Sequence, residues 1–169
     1  KNVLNRYYLA AKKYKSDIIV RITSDCPIVD YSIIDSYIKI LKREKLDYVY
    51  NCSPHSYPDG LDVEVFTFKA IELANLNVNS QTQKEHVTKY FRDNIEKFKT
   101  KHINCPIKNI SNLRITLDNS LDLKIIKKIY KSFHPNIYFN WKEVVNLYNK
   151  NKKMFKFYKN QMNKKSQLD

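Results

Sequence analysis

The sequence of 169 residues carries a formal net charge of +14, and 43% of its residues are hydrophobic, among them 13 Tyr and 8 Phe. This length suits one domain with its own core, and the aromatic content excludes an intrinsically disordered chain. No run approaches the roughly 20 apolar residues that a membrane-spanning helix needs. Three cysteines without a C-x-x-C pair fit neither a disulfide framework nor a zinc site, so we expect reduced thiols and a cytoplasmic location.

The positive charge leaves two interpretations open. The basic residues are mostly Lys, spread over every segment and densest near the C-terminus, and the Tyr and Phe lie at helix and strand spacing as core residues do. Proteins that bind single-stranded nucleic acid instead combine a basic groove with exposed aromatics. We therefore favour a compositional origin of the charge, with a binding module for nucleic acid or another anionic polymer as the alternative. A basic surface also steers anionic nucleotides and acidic sugars toward a protein.

The first part of the sequence alternates helix and strand. Amphipathic spacing predicts a helix over 2–14, and a β-branched run predicts a buried strand over 17–22. Asp30 suits the N-cap of a helix that ends near Glu44, and a second strand follows at 47–51. This alternation predicts an α/β fold with a mostly parallel sheet.

The rest of the sequence is mixed. A loop over 53–60 contains the single glycine, Gly60, which we expect where the backbone geometry most requires it. Ser120 suits the N-cap of a helix. We expect a single domain over 1–150, and the Lys- and Asn-rich composition of 151–169 predicts a surface helix or a loose basic tail after it. The remaining predicted elements are strands at 61–66, 97–103 and 113–117 and helices at 68–74, 82–93, 121–133 and 141–149.

Two carboxylates follow predicted strands. Asp25 comes after the strand at 17–22, and Asp118 comes after the strand at 113–117. Ligands of open α/β sheets bind beyond the carboxyl ends of the strands, where a carboxylate suits a divalent metal on a phosphate. The alternative for each is a structural role, as a helix cap or in a turn.

Further charged residues carry a functional and a structural interpretation each. Asp62 and Glu64 are two apart, so on a strand both carboxylates face the same side, either in a functional site or toward solvent at a sheet edge. Glu85 and His86 open the predicted helix at 82–93, where the helix dipole favours an acid and where a lone His is usually structural.

Two arginines lie inside predicted strands. Arg21 and Arg114 have the planar fork that binds a carboxylate or a phosphate through two hydrogen bonds. They equally suit neutralisation of the neighbouring acids. No single one of these residues indicates a particular function, but the order in which they follow one another along the chain does.

Four motifs follow one another after the first helix. They read RITSDCP at 21–27, YPDGLDVEVF at 57–66, EHVT at 85–88 and LRITLD at 113–118. Together with VLNRYYLAAKKY at 3–14, they resemble the cytidylyltransferases, in the branch that includes the spore-coat polysaccharide biosynthesis protein F. The resemblance covers about residues 1–133. Two positions depart from the family pattern, with Ser24 where Gly is frequent and Lys89 where Pro is common.

The resemblance implies a Rossmann-like nucleotidyltransferase fold of the nucleotide-diphospho-sugar transferase type. It implies transfer of CMP from CTP to a sugar, which we expect to be acidic, giving a CMP-sugar and pyrophosphate for surface polysaccharide synthesis. It also implies that Asp25 and Asp118 are catalytic and hold Mg²⁺. Family relatives often dimerise, so a second copy of the chain is an expected partner. The residues expected to bind substrates are Arg21, Asp59, Asp62, Glu64, Glu85, His86 and Arg114.

The family also carries an N-terminal strand and a glycine-containing nucleotide loop. This sequence starts at Lys1 and has its one glycine at position 60, so it contains no candidate for that loop. We therefore expect the C-terminal part of a longer protein, inactive alone. Besides the polymer-binding module, the open alternatives are a related nucleotidyltransferase for another nucleotide, a glycosyltransferase of related fold, and a remnant without activity.

Overall fold

A computed structural model of the chain describes residues 1–158, with side chains as far as Phe155. These residues form two compact units, each assembled from separate stretches of the chain. The first unit contains Lys1–Arg21, Tyr31–Cys52 and Val63–Ile103. The second unit contains Ile22–Asp30, Ser53–Asp62 and the chain from Asn104 onward. Within the described residues, no helix has both the length and the apolar composition needed to cross a membrane.

The first unit is a four-stranded sheet with five helices. Its elements are α1 (Val3–Lys13), β1 (Ile18–Arg21), α2 (Tyr31–Glu44), β2 (Tyr48–Tyr50), β3 (Glu64–Thr67), α3 (Phe68–Asn77), α4 (Gln81–Glu85), α5 (Lys89–Asp93) and β4 (Thr100–His102), with a 3₁₀ turn at Ile95–Lys97. The strands predicted at 17–22, 47–51 and 97–103 and the helix predicted at 68–74 are confirmed, within a few residues at their ends.

The strand order in the sheet is β1-β3-β2-β4. β3 pairs antiparallel with both β1 and β2, and β2 pairs parallel with β4. β1, β2 and β4 therefore run in one direction and β3 runs against them, which agrees with the predicted mostly parallel α/β sheet. Because β3 lies between β1 and β2, the two strands of the predicted βαβ unit are not hydrogen-bonded neighbours.

Aromatic side chains fill one face of this sheet. The Tyr48 and Tyr50 rings stack with their centroids 4.5 Å apart, and Phe91 of α5 contacts Tyr48 at 5.1 Å. The same cluster includes Leu4 of α1 and Ile71 of α3, both fully buried. Full burial of such side chains stabilises a fold by about 1.5–3 kcal/mol each. α1, α3 and α5 thus cover this face.

The opposite face of the sheet is aliphatic. Val49 and Val65 are paired across β2 and β3 and are completely buried. α2 packs against both strands, with Ile33, Tyr37 and Leu41 as its buried stripe. That i, i+4, i+8 spacing is the period of one helix face, which is why the sequence predicted this helix correctly.

The second unit contains two longer helices, α6 (Ser120–Phe133) and α7 (Trp141–Lys150), followed by a 3₁₀ helix at Lys152–Tyr158. The cap of α6 is Asn119, so the predicted cap Ser120 was wrong by one position. Asn119 has extended backbone and its side chain accepts the amide hydrogens of Leu121 and Asp122. Beyond 158, the predicted tail lies outside the described residues.

Two element predictions were wrong, and a third was displaced. No strand forms at 113–117, because its neighbours are loops and a single parallel bridge joins Arg114 to Asp59. The helix predicted at 82–93 is two short helices, interrupted where His86 adopts extended backbone (φ −98°, ψ 91°) and Val87 turns into the core. The strand predicted at 61–66 is confirmed but begins three residues later, at Glu64, so Asp62 lies outside it.

Candidate functional site

A row of polar and aromatic side chains crosses the sheet of the first unit at one end. β1, β2 and β4 finish at Arg21, Tyr50 and His102, and β3 begins at Glu64. The register places Glu64 opposite Arg21 on one side and Tyr50 on the other, and Tyr50 opposite His102. This end is the carboxyl end of the three strands that share a direction, where open α/β sheets bind ligands.

Glu64 is the centre of this row and is 1% exposed. One carboxylate oxygen accepts a hydrogen bond from Arg21 Nη1, and the other accepts from the Tyr48 hydroxyl and from Arg92 Nη1, the latter at 3.3 Å. Arg92 Nη1 also donates to Thr88 Oγ1 at 2.8 Å. We call Arg21, Tyr48, Glu64 and Arg92 the Glu64 cluster.

The electrostatics of the Glu64 cluster keep the Glu64 carboxylate ionised. Burial alone would raise the pKa of Glu64, but the charge of Arg21, the hydrogen bonds from Tyr48 and Thr88 and the charge of Arg92 lower it below its usual value. Burial and the Glu64 charge raise the pKa of Tyr48 well above its ordinary value, so its hydroxyl stays a donor. With these donors and two arginine charges, the buried carboxylate is an anion at neutral pH.

The second unit contains a cluster of the opposite composition around Arg114. Its guanidinium donates to Asp59 and Asp118, and to Asp122 through Nε at 3.4 Å and Nη2 at 3.1 Å. Arg114 is 12% exposed and Asp122 is fully buried, whereas Asp59 and Asp118 are 44% and 34% exposed. We call Asp59, Arg114, Asp118 and Asp122 the Arg114 cluster.

Hydrogen bonds fix the backbone beneath the Arg114 cluster. Asp122 Oδ2 accepts the amides of Asp118 and Asn119 at 2.8 and 3.2 Å, which joins the loop to the first turn of α6. Partial burial raises the pKa of Asp59 more than the charge of Arg114 lowers it. Burial lowers the pKa of Arg114, but its hydrogen bonds to Asp122 and Asp118 and the charge of Asp59 raise it overall.

Gly60 allows the backbone of this cluster to close. Its φ is +106°, and a Cβ there would lie 2.8 Å from the carbonyl carbon of Ile115 and from the amide nitrogen of Thr116. The neighbouring Asp59 exchanges backbone hydrogen bonds with Leu113 and Ile115 at 3.0 and 2.8 Å. Only glycine fits such a conformation at such a close approach, as the sequence predicted.

Asp25 lies on the other side of the same segment. Its carbonyl accepts hydrogen bonds from Thr116 Oγ1 at 2.9 Å and from the Leu117 amide at 2.8 Å, and Asp118 is the next residue. The structure thus brings together the loops that carry Asp25 and Asp118, the two predicted metal ligands. Burial raises the pKa of Cys26 to about 11, so its thiol is protonated and lies 3.7 Å from Asp25 Oδ1.

The donor chemistry at these loops fits Mg²⁺. No group of three or more His, Cys, Asp or Glu side chains among residues 1–158 forms a ready-made metal site. Mg²⁺ does not need one, because it commonly binds one or two carboxylates and completes its shell with phosphate oxygens and water. Carboxylates of this kind are present in both loops, at Asp25 and at the partly exposed Asp118, which also pairs with Arg114.

The remaining predicted site residues are dispersed. The Asp62 carboxylate lies 3.5 Å from His55 Nδ1, before β3 begins, so it does not share a strand face with Glu64. Glu85 and His86 are exposed, and they end α4 instead of opening a helix. The expected support of Glu85 by the positive end of a helix dipole was therefore wrong.

Two members of the Glu64 cluster escaped the sequence analysis. The spacing of the tyrosines placed Tyr48 among the core residues, and Arg92 was not singled out. The spacing of Thr88 and Arg92, four apart, was the available signal, because such residues meet on one face of a helical turn. The contact of either with Glu64 depends on sheet register, which no local pattern encodes.

Comparisons with known proteins identify the family of this chain. The family model described as cytidylyltransferase matches residues 1–167. An uncharacterized protein of Methanocaldococcus jannaschii is 38% identical over 135 residues, which are 79% of this chain and 54% of that protein. The spore coat polysaccharide biosynthesis protein SpsF of Bacillus subtilis is 26% identical over 151 residues, 88% of this chain and 62% of SpsF.

A solved structure agrees. The structure of a cytidylyltransferase from Leptospira borgpetersenii matches with a TM-score of 0.86 and 28% identity, over 92% of this chain and 66% of that one. The chain thus spans little more than half the length of the two curated relatives. The match of the family model over nearly the whole sequence nevertheless settles its membership: this chain belongs to the cytidylyltransferase family.

Proposed function

We propose that this chain forms the metal-binding part of an enzyme that transfers CMP from CTP to an acidic sugar and releases pyrophosphate. The observation that carries the proposal is the junction of the loops of Asp25 and Asp118 through the Asp25 carbonyl, in a chain of the cytidylyltransferase family. The name of the Bacillus subtilis relative supports a role of the product in surface polysaccharide synthesis.

In this mechanism Asp25 and Asp118 would hold Mg²⁺ against the triphosphate. The ion, when bound, neutralises negative charge on the phosphates and stabilises the charge that develops at the α-phosphoryl group. Arg114 orients Asp118, and the buried Asp122 orients Arg114 and the Asp118 amide. Such supporting residues typically change metal affinity or activity by about 10–100-fold when they are removed.

The bond changes follow from the substrates. A sugar hydroxyl oxygen attacks the α-phosphorus of CTP in line, the bond from that phosphorus to the oxygen bridging to the β-phosphorus breaks, and pyrophosphate leaves. The sugar proton passes to solvent or to a nearby base. Asp59, Asp62, Glu85 and His86 stay predicted substrate contacts, whereas Glu64 is better assigned to holding arginines than to binding hydroxyls, because all its contacts are internal.

The test is an assay of pyrophosphate release from CTP in the presence of a panel of neutral and acidic sugars. It uses the longest open reading frame that contains this sequence, with the 169-residue chain in parallel. We expect release that requires Mg²⁺ and falls by about 100-fold or more in Asp25→Asn and Asp118→Asn. Asp35→Asn, on the exposed side of α2, is the matched control and should keep full activity.

Two results would contradict the proposal. One is Mg²⁺-dependent release that survives both substitutions, which would remove the metal assignment. The other is the absence of any response to CTP together with salt-sensitive binding of polyanions, which would favour the polymer-binding module suggested by the charge of +14.

A further inference from the structure

We propose that Arg21 and Arg92, held by Glu64, form an oxyanion-binding site at the carboxyl end of the sheet in the first unit. The site would take a carboxylate or phosphate group of a ligand. Its interpretation as a substrate site rests on the proposed function, whereas oxyanion binding itself can be measured without catalysis.

The first argument is charge. Two guanidiniums contact the single carboxylate of Glu64, which leaves an excess of one positive charge. In the part of the chain that the structure describes, Arg21 and Arg92 form ion pairs with no other acid. A structural ion pair needs one cation for one buried anion, so the second arginine exceeds what Glu64 requires. An additional anion would balance the group.

The second argument is the use of donors. An arginine has five N–H donors, and Arg21 directs Nη1 to Glu64. Arg92 likewise directs Nη1 to Glu64 and Thr88. The two side chains are 24% and 28% exposed, so each is partly accessible to solvent. These hydrogen bonds use one nitrogen of each fork, and paired hydrogen bonds from a guanidinium fork are the usual contact with an oxyanion.

The third argument is preorganisation. Glu64 is anchored in β3 by the Tyr48 hydroxyl, and Tyr48 is completely buried beneath the stacked ring of Tyr50. Arg21 extends from the neighbouring β1, and Arg92 lies on α5, one turn after Thr88. Both guanidiniums are thus fixed before a ligand arrives, which lowers the entropy lost on binding.

The same donors fit two sources of oxyanion, the carboxylate of a sugar acid and a phosphate of a nucleotide. The primary experiment therefore uses inorganic phosphate on the 169-residue chain. The arginine side-chain N–H signals are followed by NMR at constant ionic strength, with chloride replaced by phosphate. The sequence has five arginines, so each signal is assigned by a single Arg→Lys variant.

We expect the Arg21 and Arg92 signals to shift together along one saturable curve, while the Arg43 signal stays in place. Arg43 is the matched control, because it is 73% exposed and pairs with one acid, Glu44. Arg92→Lys keeps the charge but loses the fork, and it should weaken phosphate binding about tenfold or more. Arg43→Lys should leave the affinity unchanged.

Further arms identify the source. If glucuronate shifts the Arg21 and Arg92 signals and glucose does not, the oxyanion is the carboxylate of a sugar acid. If metal-free CTP binds more tightly than phosphate and cytidine causes no shift, the oxyanion is a phosphate of the nucleotide. The site would be overturned if the signals of all five arginines shifted equally with phosphate concentration. It would also be overturned if the Arg21 and Arg92 signals had not shifted at the phosphate concentration that shifts the Arg43 signal. The wild-type titration decides this even if a variant does not fold. Retained catalysis without these shifts would overturn the site alone, whereas shifts without catalysis would overturn only the proposed function.

Discussion

The two arginine-containing clusters have opposite stoichiometry. The Glu64 cluster joins two guanidiniums to one carboxylate, an excess of +1, and the Arg114 cluster joins one guanidinium to three carboxylates, an excess of −2. Glu64, the single carboxylate of its cluster, is 1% exposed, and Arg114, the single cation of the other, is 12% exposed and pairs with the fully buried Asp122 as well as with the partly exposed Asp59 and Asp118. A buried group of one charge thus presents partly exposed groups of the other, and the sign decides whether an anion or a cation fits.

The largest expected effect comes from removing the minority charge of the Arg114 cluster. Arg114→Met would leave the fully buried Asp122 without its cation, and breaking a buried ion pair costs about 3–5 kcal/mol. Chemical denaturation measures this loss in unfolding free energy. Arg43→Met, at an exposed arginine, is the control and should change stability by less than about 0.5 kcal/mol. Equal losses in the two variants would contradict the structural role of Arg114.

The next effect concerns the backbone that brings Asp59 to Arg114. Gly60→Ala should lower the unfolding free energy by about 1–3 kcal/mol from the φ of +106° alone, with the contact to the Ile115 and Thr116 backbone adding to it. Denaturation again measures the loss. An unchanged stability in Gly60→Ala would show that the Asp59 loop does not lie against residues 115–116.

Glu64→Gln should lower the unfolding free energy by about 2 kcal/mol, less than Arg114→Met does. The reason is that Arg21 and Arg92 are a quarter exposed and are hydrated by water when the carboxylate is lost. Glu96→Gln, at an exposed acid of the same unit, is the control. A Glu64→Gln protein as stable as the wild type would mean that the two arginines do not depend on this carboxylate. A loss larger than that of Arg114→Met would reverse the order derived from exposure.

The smallest effect is the pH dependence of that difference. The pKa of Glu64 is lowered in the folded state from its ordinary 4.5, so the folded state binds this proton less readily than the unfolded state. Its stabilisation is therefore complete above about pH 4.5 and is lost as the pH falls through the folded-state pKa. The stability gap between wild type and Glu64→Gln should shrink in acid. A gap that widens there would contradict the lowered pKa.

Local patterns in the sequence predicted much of the fold. Helix α2 follows from the spacing of Ile33, Tyr37 and Leu41, and the strands of the first unit follow from β-branched and aromatic runs. The turn at Gly60 follows from the single glycine. These features depend on neighbours in sequence, where propensity and periodicity act.

The rest depends on partners far along the chain. The segment 113–117 has strand composition, but Asp59 and Asp25 provide single bridging contacts, so no strand forms. The contact of Arg92 with Glu64 spans 28 residues and requires the register of β3. The resemblance implied that Asp25 and Asp118 hold one metal ion, and the structure adds that the Asp25 carbonyl accepts the amide of Leu117, next to Asp118. The face predicted to be shared by Asp62 and Glu64 was wrong, because the strand begins at Glu64.

The most direct test of the account uses Mn²⁺, which prefers the same oxygen ligands as Mg²⁺, as a paramagnetic probe in NMR of this chain with CTP. The account predicts that the amide signals of Asp25, Cys26, Leu117 and Asp118 broaden first, and that the combined Asp25→Asn and Asp118→Asn substitutions abolish the effect. Broadening centred on another group of acids, or unchanged in that double variant, would contradict it.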